Sequence, residues 1–367
     1  MLSEIEAFTI AVSADYGAKS ESDQLNVVID QFFLEMFPSA KKTNRLLYVF
    51  LFHFRLKQRV KESDIGRIIF KRALHCSVLP VKIQQHWQSK LQDAGIPDPE
   101  YSIKWIAEHI NRLNLEQQKS NDNSFMKIDF FDEFEKLCRR RMKREPVQYI
   151  IGDWDFRSLN LLMRPPVFIP RSETEGLIDL INETLTKDGS LDSNILEIGC
   201  GSGAISLSLV KENPKATCTA VDISKEAFAL SKINSERLGL SSRCKIIHSS
   251  FDDYLNGHKT GEKFDVIVSN PPYIPTKDMQ SLQPEISLYE DKRALHGGET
   301  GLDLVSKFLS AAQLLLRKGG FIWLEVDSSH PPMIRDIVKQ EYGDTLRYVA
   351  SHLDIYDRPR FCQLQLL

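Results

Sequence analysis

No apolar run in this chain approaches the roughly 20 residues that a membrane-spanning helix needs. The longest candidate, Leu46 to Leu56, is broken by His53 and Arg55. Cysteine is sparse and unpaired, with six residues among 367 (Cys76, Cys138, Cys200, Cys218, Cys244 and Cys362) and no C-x-x-C spacing. That speaks against a zinc module, so no metal is expected, and against a secreted disulfide framework. A reducing compartment fits better. Positive charge is not in excess either: 47 Lys and Arg face 50 Asp and Glu, a net charge of −3. This balance argues against direct nucleic-acid binding by a dedicated basic surface, while a local basic patch stays possible. What remains is ordinary for a globular protein, 42% hydrophobic and 26% charged residues. The length suits two or three domains with real cores.

Residues 1 to about 24 are acidic, with Glu4, Glu6, Asp15, Glu21 and Asp23 opposed only by Lys19. A signal or transit peptide would be basic and poor in acids. From Met36 the character reverses, and Lys41, Lys42, Arg45, Arg55, Lys57, Arg59 and Lys61 interleave with Leu46, Leu47, Val49, Phe50 and Phe52. That is the composition of a mitochondrial presequence placed too far along the chain. Translation starting at Met36 and an ordinary basic amphipathic helix both explain it. Residues 1–80 are accordingly read as an extension, partly basic.

Residues 81–145 read as a helical domain. Asp98-Pro99-Glu100 supplies a cap, a first-turn proline and a first-turn acid, and Ile103, Ile106, Ala107, Ile110 and Leu113 recur at helical spacing. Phe130, Phe134 and Leu137 mark another helix, ending in Arg139-Arg140-Arg141-Met142-Lys143-Arg144. Those cations suit a solvated helix terminus. The sharper alternative is a contact surface for an acidic protein or RNA. Residues 146–166 alternate like a β-hairpin linker, with Gly152-Asp153 as its turn. Ser172 and Glu175 form a capping box for the helix that follows.

A catalytic domain is expected over 167–367. From Asn194 the pattern becomes strand, helix, strand, helix, the signature of a parallel sheet covered on both faces. Ile195 to Ile198 is the first buried strand, and Gly199-Cys200-Gly201-Ser202-Gly203 lets backbone approach a ligand closely. Asp222, at the end of the second strand, is placed to bind ribose hydroxyls. Gly199-x-Gly201-x-x-Ala204 also fits a nicotinamide-dinucleotide fingerprint. A third strand near Lys245 to Ile247 leads to Ser249-Ser250-Phe251 beside an adenine. The fourth strand, Phe264 to Val268, breaks into Ser269-Asn270-Pro271-Pro272-Tyr273. Helix Leu302 to Leu316, strand Phe321 to Val326, a helix near Met333 to Tyr342, and strands Thr345 to Ala350 and Phe361 to Leu366 complete it. The segment Pro275 to Gly301 reads as a lid or as a variable insertion.

Asn270 is pushed to extended backbone by the proline after it, and Pro271 and Pro272 carry acceptors without N–H donors. Such a rim suits a planar nitrogen carrying two hydrogens, a carboxamide or an exocyclic base amine. Asn270, Pro271 and Tyr273 are the catalytic candidates, and Pro272 joins them in gripping the substrate. With the glycine loop and the ribose acid, this order looks like an S-adenosylmethionine-dependent methyltransferase acting on an amino group.

Glu145-Pro146-Val147-Gln148-Tyr149-Ile150-Ile151-Gly152 and Phe168-Ile169-Pro170-Arg171-Ser172-Glu173-Thr174-Glu175 come first in the chain. The glycine loop, Asn270 to Tyr273 and Gly297-Gly298-Glu299-x-Gly301 follow in that order. Together, from about Gln84 onward, they resemble the HemK/PrmC family, the class-1 peptide chain release factor glutamine methyltransferases. Leu324-Glu325-Val326-Asp327-Ser328-Ser329-His330-Pro331 looks like the animal mitochondrial branch. The resemblance implies a class I, Rossmann-like fold with a seven-stranded, mostly parallel sheet behind a helical amino-terminal domain that holds the release factor. It implies S-adenosyl-L-methionine as cofactor, held by Gly199, Cys200, Gly201, Ser202, Gly203, Asp222, Phe251 and Asn270. The glutamine of the factor's Gly-Gly-Gln loop would be the target, in support of translation termination in the mitochondrion or otherwise the cytoplasm. Ser172 stands where the family usually has proline, and Ser250 where it commonly has aspartate near the adenine amine. An adenine amino-methyltransferase acting on DNA or RNA is the alternative enzyme, and a binding protein with a vestigial cofactor site the non-catalytic one.

Overall fold

Helical periodicity in the first part of the chain becomes three helices in the computed structural model, which describes residues 79–119, 128–187, 192–258 and 261–367. The acidic and basic stretches of the amino-terminal extension lie outside the described residues. Helix α1 spans Val81–Asp93, α2 Pro99–Lys119 and α3 Phe130–Met142. Ile103, Ile106 and Ile110 are buried along one face of α2, and Phe134 and Leu137 along one face of α3. Arg141 departs from the solvated helix terminus that the arginine run suggests. It is buried, and its Nε donates to Ser102 Oγ at 3.1 Å. These helices belong to a unit that ends at Met142, and a second unit runs from Lys143 to Leu367.

The second unit opens on a helix rather than a strand. Val147–Ile151 forms α4, closed by Gly152 in the left-handed region at φ +80°. The hairpin follows as β1 (Asp153–Phe156) and β2 (Leu159–Leu162), with its turn at Arg157-Ser158 rather than Gly152-Asp153. Pro146 starts a helical turn as readily as an extended segment, and apolar spacing alone does not separate them. Helix α5 (Thr174–Lys187) also begins without the expected capping box. Ser172 Oγ donates to Glu173, and the Glu175 carboxylate accepts from the Arg157 N–H.

The main sheet is built from β3 (Asn194–Ile198), β4 (Thr217–Asp222), β5 (Cys244–His248), β6 (Phe264–Ser269), β7 (Leu316–Glu325), β8 (Leu346–Leu353) and β9 (Pro359–Leu366). Its order is β5-β4-β3-β6-β7-β9-β8. The first five run parallel, and β9 lies antiparallel between β7 and β8. Side chains alternate between two cores, as strand geometry requires. Ile195, Val266, Val268 and Trp323 join one core with residues of α5 and of α6 (Ala204–Glu212). Leu196, Ile267, Ile322 and Leu324 join the other with α10 (Asp303–Leu315) and α11 (His330–Glu341). Helices α7 (Lys225–Arg237), α8 (Phe251–Gly257) and α9 (Pro284–Tyr289) complete the unit.

Strand β7 starts five residues before the expected Phe321, because a register shift lets Leu316 pair with Phe264 before the regular ladder begins. Helix α11 starts at His330, with prolines in its first turn, where a missing N–H costs nothing. Among the described residues no helix is long and apolar enough to cross a membrane.

Candidate active site

Strands β3 and β6 pair directly, Ile195 with Val266 and Glu197 with Val268, yet the chain leaves them toward opposite edges of the sheet. This is the topological switch point, where open α/β sheets bind ligands. The glycine loop leaves β3 and Asn270 leaves β6 at the same end, and Ser269 Oγ ties them by donating to the Ile198 carbonyl at 2.6 Å. A cavity of about 240 Å3 lies there, lined by Gly199, Cys200, Asp222, Phe251, Asn270 and Pro272 among others. Gly201 and Ser202 line it as well, whereas Gly203, Pro271 and Tyr273 do not.

On the loop side, Gly199, Gly201 and Gly203 all have positive φ, +76°, +55° and +85°. A methyl group at Gly199 or Gly201 would meet no protein atom within 4 Å, whereas one at Gly203 would lie 2.9 Å from Leu207 Cδ1. The first two glycines leave open space for a ligand, and the third lets α6 pack. Asp222 is buried, with Oδ2 accepting from the Gly201 N–H and Oδ1 from the Ser224 N–H, both at 2.8 Å. Burial pushes its carboxyl up and those two N–H groups pull it back. A carboxylate has about four acceptor sites, so two remain for hydroxyls. Phe251 supplies an apolar wall, edge-on to Phe308 at 5.1 Å between ring centres. Ser250 also lines the cavity and caps α8, its Oγ accepting from the Asp253 N–H at 3.0 Å and donating to Asp253 Oδ2 at 2.6 Å. A buried carboxylate, an open glycine backbone and an aromatic wall fit a ribose carrying a flat base.

On the rim side, Asn270 Nδ2 donates to Thr174 Oγ1 at 3.4 Å. No protein donor among the described residues reaches its Oδ1 or the Pro271 carbonyl. Tyr273 turns to Arg360 rather than to the cavity: the guanidinium lies 5.8 Å from its ring centre and donates to its hydroxyl at 3.4 Å. Burial raises the Tyr273 hydroxyl to about 12. Behind Asn270 stands Glu325, the last residue of β7, at 2% exposure. Burial pushes its carboxyl up to about 7, against the downward pull of the Thr174 hydroxyl, Arg360 and the Asn270 amide.

The segment 275–301 packs against the rim as a strap. Its return pairs with the rim exit: Ile274 N–H donates to Leu295, Gly297 to Ile274 and Thr276 to Gly298. A methyl group at Gly297 would lie 2.5 Å from the Pro272 carbonyl oxygen, and one at Gly301 2.2 Å from that of Tyr273. Only glycine admits this approach. The strap is pinned further by Arg171 to Glu290 at 2.7 Å and Arg144 to Glu285 at 2.7 Å.

Three residues of this architecture carry no separate signal as site residues: Thr174, Arg360 and Asn234. Asn234 is fully buried and joins the hairpin to the glycine loop, bonding both backbone groups of Leu162 and the Ser202 carbonyl. For Glu325 a signal existed, an acid closing an otherwise apolar strand.

Two family models match the chain, the PrmC N-terminal domain over residues 82–152 and the methyltransferase small domain over 161–286. The MTRF1L release factor glutamine methyltransferase of Homo sapiens is 39% identical over 299 residues, 78% of this chain and 87% of the relative. The release factor glutamine methyltransferase of Streptomyces coelicolor is 32% identical over 272 residues, 74% of this chain and 92% of the relative. Among solved structures, TrmN from Thermus thermophilus aligns with a TM-score of 0.38 at 18% identity, covering 52% of this chain and 49% of that one.

Proposed function

The chain belongs to the release factor glutamine methyltransferases, and from that premise we propose that it methylates the side-chain amide nitrogen of the glutamine in the Gly-Gly-Gln loop of a mitochondrial peptide chain release factor, using S-adenosyl-L-methionine. The observation that carries the reading is the orientation of Asn270. Among the described residues its oxygen has no protein partner, and it lines the same cavity as Asp222 and the open glycines.

An amide nitrogen is a poor nucleophile because its lone pair is delocalised into the carbonyl. Asn270 Oδ1 and the Pro271 carbonyl are two acceptors without matching donors, suited to the two hydrogens of a carboxamide. Gripping both hydrogens orients the nitrogen and concentrates negative potential on it, so positioning and electrostatics lower the barrier. The cofactor, when bound, supplies a methyl group activated on a sulfonium; Asp222 would hold its ribose, and Gly199 to Ser202 and Phe251 would surround it. After transfer the nitrogen becomes acidic and loses its proton readily, so no strong base has to face the amide beforehand. Tyr273 acts through the rim, clamped by Arg360, and Pro272 shapes the entrance.

The mitochondrial assignment rests on the animal-branch likeness around Leu324 to Pro331 and on the presequence-like composition from Met36. The helical unit ending at Met142 is the proposed holder of the release factor, and 167–367, within the second unit, the catalytic domain. Mass spectrometry of mitochondrial release factors from cells with and without this protein tests the reading. The expected result is one methyl group on the loop glutamine, lost when the protein is absent. Methylation of DNA or RNA adenine in place of the factor would overturn it.

A further inference from the structure

The ladder between β6 and β7 pairs Ser269 with Leu324, so the next residues of these parallel strands, Asn270 and Glu325, lie side by side. Glu325 is almost fully buried, and among the described residues its Oε2 has no hydrogen-bond partner. An ionised carboxylate offers acceptors only, so every polar neighbour must turn a hydrogen toward it. Thr174 and Asn270 are its polar neighbours, both acting to hold its carboxyl down, and the Thr174 hydroxyl receives the Asn270 NH2 group.

We propose that Glu325 is a positioning residue for methyl transfer, fixing the Asn270 carboxamide with its NH2 group inward and its oxygen toward the incoming glutamine amide. This rests on the function proposed above. The two ends of a carboxamide have nearly the same shape, so surrounding donors and acceptors decide which way it points. Reversed, Asn270 would set its oxygen against a carboxylate and aim NH2 at NH2, where no hydrogen bond forms. Protonated Glu325 loses this bias, because its O–H can donate to Asn270 Oδ1. The charged and titratable groups facing Glu325 are Arg360 from β9, Tyr273 from the rim and Glu173 from the loop before α5. Arg360, itself held by Asp354, favours the ionised form, and Glu173 opposes it. With burial raising the group to about 7, the orienting charge is shed within the ordinary assay range.

The test is steady-state kinetics on the release factor across pH for wild type, Glu325→Gln, Asn270→Ala and the double variant. Wild-type kcat should fall as pH drops through the neutral region, following one ionisation. Glu325→Gln, nearly isosteric, should lower kcat roughly 10- to 100-fold, with a flat acid limb and KM changed far less. Adding it to Asn270→Ala should cost nothing more, because the effect runs through Asn270. Infrared titration of the ligand-free protein gives a readout independent of turnover: a carboxyl stretch titrating near neutrality, absent in Glu325→Gln. Should that variant not fold, the wild-type pH profile and titration still decide. A pH-independent wild-type kcat, additive losses, or no such titration overturns this inference alone. A wild type that methylates no release factor overturns the function as well.

Discussion

On the glycine-loop side of the cavity, shape comes from backbone: three glycines at positive φ, two N–H groups on Asp222, and a serine cap under Phe251. On the rim side it comes from side chains and chain segments that are distant in sequence. Thr174 and Glu325 stand behind Asn270, Arg360 clamps Tyr273, and Gly297 and Gly301 press against the carbonyls of Pro272 and Tyr273. Under the proposed function the loop side would hold the cofactor common to class I methyltransferases, for which local geometry suffices. Under the proposed function the rim has to present two acceptors to one uncharged nitrogen, and a shift of an ångström there should cost far more than on the other side.

Two glycines of similar φ separate the two modes of construction. Gly301→Ala places a methyl group 2.2 Å from the Tyr273 carbonyl oxygen and near the His330 ring, at φ +82°. Strain and overpacking together should destabilise by roughly 3–5 kcal/mol. Gly199→Ala meets only conformational strain at φ +76°, about 1–2 kcal/mol. Denaturant unfolding of both variants measures the gap, and equal losses would break the comparison.

Asn270→Ala comes next. Removing the acceptor should lower kcat about 10²–10³-fold, the usual cost of one oriented polar group. Cofactor affinity, measured by calorimetry, should change little, since the loop side stays intact. A comparable fall in both quantities would mean that the two sides are not separable.

Glu325 carries a cost that the rim imposes on the fold. Its folded carboxyl stands at about 7 against an ordinary 4.5, so it binds its proton more tightly folded than unfolded. The advantage to the folded state is full below pH 4.5 and is lost as pH rises through 7. Each unit is worth about 1.4 kcal/mol, so wild type should lose up to about 3 kcal/mol relative to Glu325→Gln across that window. Thermal unfolding of both proteins from acid to neutral pH follows it. The ionised form that orients Asn270 is the less stable one, so activity and stability pull in opposite directions at this residue.

The same contrast explains what the sequence disclosed. Gly199 to Gly203, Asp222 and Asn270 each announce themselves, because a residue type at a strand end carries its own geometric reason. The parallel sheet followed from apolar runs alternating with helical periods. Thr174, Arg360 and Asn234 did not announce themselves, since their roles exist only once separated segments meet. Glu299-flanking glycines looked like loop composition, although Gly297 and Gly301 answer to carbonyl oxygens about 25 residues earlier. Gly152-Asp153 resembles a hairpin turn in sequence because a glycine closing a helix and a glycine in a turn share one backbone conformation.

Ser250 offers the smallest effect and the finest distinction. Where the family commonly has aspartate, this serine spends its hydroxyl on Asp253, accepting from the N–H and donating to the carboxylate. Replacing it with alanine uncaps α8 and should cost about 1 kcal/mol. Phe251, the first residue of that helix, is anchored against Phe308 in the core, so the cavity wall should hold. Ser250→Ala should therefore lower stability while leaving cofactor affinity unchanged, and Ser250→Asp, an equally good cap with a charge suited to the helix N-terminus, should restore the stability. If calorimetry instead found weaker cofactor binding for alanine and tighter binding for aspartate, position 250 would be touching the base. The loop side would then depend on a side chain just as the rim does.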